Sequence, residues 1–224
     1  MSSKAYGIDL MDVTAEVIVS GHLPHIAGAH EPVPSVYIPR AVSWMVKSPQ
    51  FSWAQMRDAY PCLGPEMRST GEVASQGYTF YEALIKSWLS AQPNRIPDWE
   101  QTILAYSVSE RDTETLGETA ENLSEIGYSV YTLEEKPLDG FDILTAEKAV
   151  EYAKRGYLGL LVTGGANPSL DYMVRRVAVD HNIPLILDAQ LGVEISEALR
   201  RLARSEIVIT WGEMRQYWAS GASL

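Results

Sequence analysis

The stretch Leu158-Gly-Leu-Leu-Val-Thr-Gly-Gly-Ala-Asn-Pro-Ser-Leu-Asp-Tyr-Met-Val-Arg-Arg-Val-Ala-Val-Asp180 decides the fold. Leu158–Thr163 is an apolar run of the length of a buried strand. Gly164-Gly165 breaks it, Asn167 supplies a helix cap, and Pro168 takes the first helical position. Leu170, Met173, Val174 and Val177 then recur at helical spacing, so a strand leads through a short turn into a helix. Ile183–Leu187 follows as a strand and Gly192–Leu202 as a helix. Working backward, Ile103–Val108 and Tyr128–Thr132 read as strands. Leu116, Ala120, Leu123 and Ile126 mark a helix closed by Gly127, and residues 145–155 mark one ending at Gly156. Ile207–Thr210 reads as a last strand. Crossovers of this length imply a mostly parallel sheet covered on both faces, a small doubly wound α/β unit.

The first hundred residues follow another grammar. Ile8–Val19 is in rough helical phase, Gly21–Pro39 is irregular and proline-rich, Val42–Val46 and Gly71–Ser75 resemble strands, and Phe80–Leu89 resembles a helix. That is too little regular structure for a core of its own, so this half is expected to pack on the second. Turn formers at Ala91-Gln-Pro-Asn-Arg-Ile-Pro-Asp98 place the boundary, giving segments 1–98 and 99–224.

Charge divides along the same line. The chain of 224 residues has 18 basic and 29 acidic side chains, a net charge of −11. Residues 1–100 hold 7 basic and 10 acidic groups (7 − 10 = −3), and residues 101–224 hold 11 and 19 (11 − 19 = −8). A pI near 4.8 with scattered Lys and Arg argues against nucleic acid as a partner. No run reaches eighteen apolar residues, and MSSKAYGIDL lacks the grammar of a signal peptide, so no membrane partner is expected. Cys62 is the one cysteine, which excludes an internal disulfide and suits a reducing cytoplasm.

Lys47-Ser-Pro-Gln-Phe-Ser-Trp53 and Leu63-Gly-Pro-Glu-Met-Arg-Ser-Thr-Gly-Glu-Val73 resemble the large chain of carbamoyl-phosphate synthetase at the end of its second ATP-grasp domain. Arg175-Arg-Val-Ala-Val-Asp-His-Asn-Ile-Pro-Leu185 is similar to the methylglyoxal-synthase-like domain that follows in that family and carries its allosteric regulation. The resemblance therefore implies a methylglyoxal-synthase-like sheet preceded by an ATP-grasp C-terminal remnant. The family's nucleotide-binding strands and metal-coordinating motif lie upstream of the Leu63 block, where this sequence does not extend. An ATP-independent module with no cofactor is the expectation. Its family would supply phosphate ligands as a Lys after the first strand and a Thr-rich turn after the second. Thr113 and Leu133-Glu-Glu-Lys136 stand at those places, beside Glu110, Asp112, Glu114, Glu118, Glu121 and Glu125 with Arg111 alone among them, a setting that repels anions. The loop Val162-Thr-Gly-Gly-Ala-Asn-Pro168 lacks the carboxylate a methylglyoxal synthase would use.

Ligands of doubly wound sheets bind beyond the strands' carboxyl ends. Those ends offer Ser107, Ser109, Thr132, Thr163, Gly164, Gly165, Asn167 and Gln190 as ligand-binding candidates. Thr163-Gly164-Gly165 suits either an anion nest or a tight turn. Asp188 suits either a general base or a helix cap. Glu66, Arg68, Thr70 and Glu72 alternate on one face of an expected strand, so Glu66, Arg68 and Glu72 join Asp188 as catalytic candidates. His22, His25 and His30 are spaced loosely and carry no zincin motif, so no metal is assigned. Cys62 and His181 read as structural. Trp44, Trp53, Trp88, Tyr78 and Tyr81 would suit an aromatic-walled pocket or a core. The expected function is a regulatory or interaction subunit that binds a small molecule in a cleft between the two halves, with a second copy or a synthetase-like chain as partner. A cofactor-free cyclase, isomerase or lyase is the alternative, and a truncated product is a third reading.

Overall fold

The computed structural model describes residues 2–3, 8–22 and 43–207. After β1 (Trp44–Gln50) and β2 (Gly71–Gly77), five parallel strands form the main sheet: β3 (Thr102–Ser107), β4 (Ser129–Leu133), β5 (Asp142–Leu144), β6 (Leu158–Gly164) and β7 (Leu185–Ile186). Their spatial order is β5-β4-β3-β6-β7. The chain runs outward from β3 to β5, returns to β6 and continues to β7, so the doubly wound α/β architecture stands, with its switch point between β3 and β6.

Alternation along the strands builds two cores. Ile103 and Ala105 of β3 and Leu160 and Val162 of β6 face one side; Leu104, Tyr106, Leu158 and Leu161 are buried on the other. The first side is covered by α3 (Thr113–Glu125) and α6 (Ala189–Ala203), the second by α4 (Ala146–Lys154) and α5 (Pro168–Asp180). Gly192 lets α6 press on the sheet: a Cβ there would lie 2.7 Å from Val162 Cγ1.

Ahead of the sheet, α1 (Leu10–Ser20) is capped by Asp9, whose side chain accepts from the Met11 and Asp12 amides. The two-stranded antiparallel ladder of β1 (Trp44–Gln50) and β2 (Gly71–Gly77) leads into α2 (Phe80–Ser90). Leu84, Ile85 and Trp88 of α2 are buried in the same cluster as Ile103 and Leu199. The first half thus borrows the core of the second, as its sparse pattern required.

Several expectations shift. β1 covers Trp44–Gln50 and carries Pro49 opposite Glu72, which an edge strand tolerates because the missing amide is not required there. β5 went unread because its three residues give no periodicity. The fourth strand shrinks to Leu185–Ile186, since Pro184 has no amide, although its carbonyl accepts from Leu161 N at 3.0 Å. Met173 is exposed rather than in the core. The Glu66-to-Thr70 stretch is an irregular, largely exposed segment, and only Glu72 lies on β2. Residues 208–210 of the expected last strand and 23–39 of the irregular stretch lie outside the described residues.

Candidate functional site

The carboxyl ends of β3 and β6 bring Ser107, Ser109, Thr163, Gly164 and Gly165 together at the switch point, and the protein's own atoms occupy it. Ser107 Oγ donates to the Ser109 carbonyl at 2.5 Å and accepts from the Ser109 amide at 3.1 Å. A Cβ on Gly164 would lie 2.7 Å from Asp112 Cβ, and one on Gly165 3.0 Å from Ser109 Cβ. Gly165 has φ +71°, the turn geometry a glycine adopts freely. A carboxylate oxygen of Asp112 would lie 2.8 Å from the same Cβ on Gly164, so a carboxylate packs against this turn. Thr132 stands apart: its hydroxyl donates to the Lys136 carbonyl and accepts from Leu138 N, each at 3.2 Å, closing the turn after β4. Gln190, on exposed α6 surface, reaches Glu194 at 3.5 Å. Glu125 is paired across the helices with Arg200 at 3.1 Å, which amends the reading of an unopposed acidic row.

Beside the switch point runs a buried polar network that the sequence reading missed. Arg175 and Asp171 on α5 are both fully buried and joined at 2.6 Å. The remaining Arg175 nitrogens donate to the carbonyls of Gly165 at 2.6 Å and Pro61 at 3.1 Å, and to Thr163 Oγ1 at 3.3 Å. Tyr60 Oη donates to Asp171 at 2.7 Å and accepts from Asn167 N at 2.9 Å, so Asn167 marks the start of α5 while its side chain makes no capping bond. Burial pushes the Tyr60 hydroxyl above its ordinary pKa, and the bond to Asp171 adds to the shift. Tyr106 Oη also donates to Asp171, at 3.3 Å, and burial raises its pKa too. Arg176 extends the network outward, donating to the carbonyls of Met56 at 3.0 Å, Ala59 at 3.2 Å and Trp53 at 3.3 Å. A signal was there to find: Asp171, Val174, Arg175 and Ala178 fall on one helical face, putting an i,i+4 ion pair in phase with the core.

The open space lies elsewhere, beside β7, the last strand of the sheet among the described residues. A cavity of about 580 Å³ is walled by residues 48–55 and by Leu84, Trp88 and residues 92–94 on one side, and by Val179, residues 182–183, residues 185–188 and Leu191 on the other. The volume is that of an ordinary small-molecule site. Gln50 fixes the rim by bonding both the amide and the carbonyl of Gln92 at 2.8 Å, and Arg95 donates to the Asn182 carbonyl at 2.6 Å. Phe51 and Trp53 stack with ring centroids 5.7 Å apart. Trp53 Nε1 is buried without a hydrogen-bond partner among the described residues.

Of the four catalytic candidates, Asp188 alone borders this cavity. It also caps α6, accepting from Leu191 N at 2.8 Å, so the capping reading holds. Glu66 and Arg68 are exposed in the segment before β2, and Glu72 pairs with Lys47 across the ladder. Among the aromatics, Trp53 and Trp88 line the cavity, while Trp44 and Tyr78 are exposed and Tyr81 stacks under Arg201, 4.4 Å away. Among the described residues no group of three or more His, Cys, Asp or Glu side chains could hold a metal, and His25 and His30 lie outside them. No described helix is long and apolar enough to cross a membrane.

No protein-family model matches the chain. It is 50 % identical over 180 residues to the carbamoyl phosphate synthase large chain of Sulfolobus acidocaldarius, covering 80 % of this chain and 17 % of that one. Against the large chain of Saccharolobus islandicus the identity is 47 % over 197 residues, with shares of 88 % and 18 %. Against that of Hyperthermus butylicus it is 42 % over 218 residues, with shares of 97 % and 20 %. The chain thus spans about a fifth of the length of these curated relatives, and the resemblance read from the Leu63 and Arg175 blocks is borne out.

Proposed function

We propose that this chain, which corresponds to a fifth of the carbamoyl phosphate synthase large chain, is an ATP-independent regulatory module that binds a small molecule in the cleft between its two halves. The observation that carries this reading is the cavity itself, because its walls come from both halves. Ligand bound there bears on Trp53, whose carbonyl Arg176 holds, so occupancy and the placement of residues 53–61 on α5 are one equilibrium. The crowding of the switch point by Ser107, Ser109 and Asp112 supports the cleft beside β7 as the ligand site. A catalytic role would need a second acid–base group beside Asp188, and Glu66 and Arg68 stand outside the cavity wall.

Thermal unfolding tests the proposal. A cavity ligand at about 100 times its Kd adds about 2.7 kcal/mol, a rise of about 5–10 °C for a chain of this size. Indole-3-acetamide as a probe raises Tm by that order, and Ala54→Trp, which puts bulk into the cavity from an exposed position, abolishes the rise. ATP with magnesium leaves Tm unchanged. A large rise with ATP, or a probe effect indifferent to Ala54→Trp, contradicts the reading.

A further inference from the structure

Resting on that cavity as a ligand site, we infer the class of ligand it takes: a short extended peptide, apolar and uncharged at its middle, that lies along β7 and pairs with its backbone as a further strand. Three observations meet in this assignment.

The first is how β7 enters the wall. Residues 185–188 line the cavity in succession, although successive side chains of a strand point to opposite faces of its sheet. Ile186 is buried in the core on one face, and Leu185 packs against the core on the other. A wall that contains both presents the edge of the strand between them. The rest of the lining agrees, for Leu84 and Trp88 belong to the first core and Ile183 to the second. The cavity therefore wraps round the end of the described sheet.

The second is where the backbone groups point. The Pro184 carbonyl turns toward β6 and accepts from Leu161 N at 3.0 Å. The N–H across the same peptide plane, that of Leu185, turns the other way, and with it the Leu185 carbonyl and, two residues on, the Leu187 N–H. Among the described residues no hydrogen bond reaches the Leu187 amide. A strand edge of this kind is a template for another extended chain, whose amide groups match its donors and acceptors. Four residues of strand span about 13 Å, the reach of a segment of about three or four residues.

The third is what flanks the edge. A peptide on β7 sends alternate side chains to the two sides, where Trp88 and Leu191 stand on one and Val179 and Ile183 on the other. The described wall holds no Lys, Arg or His, and its one ionisable group is the Asp188 carboxylate. An acidic side chain entering here would lose hydration and find no countercharge. Apolar, uncharged residues therefore suit the middle of the segment.

Three blocked peptides test the assignment. Acetyl-Val-Ile-Val-amide is uncharged with every amide free, its analogue N-methylated at all three residues has lost the donors a strand needs, and acetyl-Val-Glu-Val-amide carries a charge. Titrations of the full chain are followed by calorimetry, and hydrogen exchange of the Leu185 and Leu187 amides by NMR. The parent peptide binds at least about tenfold more tightly than either analogue. In the free chain the Leu187 amide exchanges faster than that of Ile186, and the bound parent slows Leu185 and Leu187 by at least about tenfold. The assignment is overturned if no peptide binds, if either analogue equals the parent, or if the parent binds while Leu187 exchanges as before. A Leu187 amide already as slow as Ile186 in the free chain overturns it too, because the edge is then paired without a ligand. In each of these cases, a Tm rise with indole-3-acetamide that Ala54→Trp abolishes shows that the cavity takes ligands and that only their class was wrong. If neither that probe nor any peptide responds to Ala54→Trp, the cavity reading falls together with this one.

Discussion

The Tyr60 hydroxyl lies 2.7 Å from Asp171 across 111 positions of sequence, and through it the first half of the chain is bonded into the buried face of α5. Asp171 in turn holds Arg175, whose other nitrogens reach the Pro61 and Gly165 carbonyls. One i,i+4 ion pair therefore joins three things: the segment before β2, the turn after β6 and the interior of α5. Arg176, the next residue, fastens the same segment two to eight positions before Pro61. Both arginines are buried, and Arg176 holds the carbonyl of Trp53, a residue of the cavity wall.

Arg176→Met keeps the apolar stem and removes the donors to Trp53, Met56 and Ala59. Hydrogen bonds from a charged group contribute about 1.5–3 kcal/mol each when partly buried, and released carbonyls regain water, so a net loss of about 2–3 kcal/mol is expected in urea unfolding. Affinity for indole-3-acetamide falls at least tenfold because residues 53–59 are no longer held. Unchanged affinity with lowered stability would separate the clamp from the cavity.

Asp171→Asn leaves the Arg175 charge buried and unopposed, and removal of one partner of such a pair costs about 3–5 kcal/mol. Arg175→Met in the same chain removes the orphaned charge. The double variant is therefore more stable than the sum of the two single losses by at least about 1 kcal/mol, read from a double-mutant cycle of urea midpoints. Strict additivity would show that the two groups act separately.

Alkaline pH loosens the same network. Tyr60 and Tyr106 have pKa values raised above the ordinary 10.0 by burial first, with Asp171 adding to the effect. The folded protein thus holds these protons more tightly than the unfolded chain. Their contribution is whole below about pH 10 and is lost as pH rises from there toward the folded pKa values. Urea midpoints stay level up to about pH 10 on this account and decline above it, and Tyr60→Phe with Tyr106→Phe makes that decline shallower. An equal decline in the variant would assign it to other tyrosines, such as Tyr128.

The sheet was legible because burial imposes long apolar runs: Leu158–Thr163 and Ile103–Val108 are covered on both faces, and Gly127, Gly156 and Gly165 end the intervening elements with φ values of 101°, 76° and 71°. Glu66 to Glu72 misled because alternation of charge with Met67 and Ser69 imitates a strand, yet neither face has anything to bury; Met67 is 88 % exposed. The switch-point cluster of Ser107, Thr163 and Gly164 followed from topology, whereas its closure by Asp112 depends on a one-turn helix that leaves no periodic mark. The walls of the cavity leave no local mark, because residues 48–55 reach the second half through tertiary contacts such as Arg176 on the Trp53 carbonyl, which no local pattern encodes. Tyr60, Asp171 and Arg175 belong to the same class: only the phase of Asp171 and Arg175 on the apolar face of α5 announced them.

A crystal structure of the chain grown with saturating indole-3-acetamide tests most directly whether the cleft between the halves is a ligand site. Density is expected between Trp53 and Leu185, with residues 48–55 in place. An empty cleft, or a probe seated instead at the switch point beside Thr163 and Gly164, would contradict it.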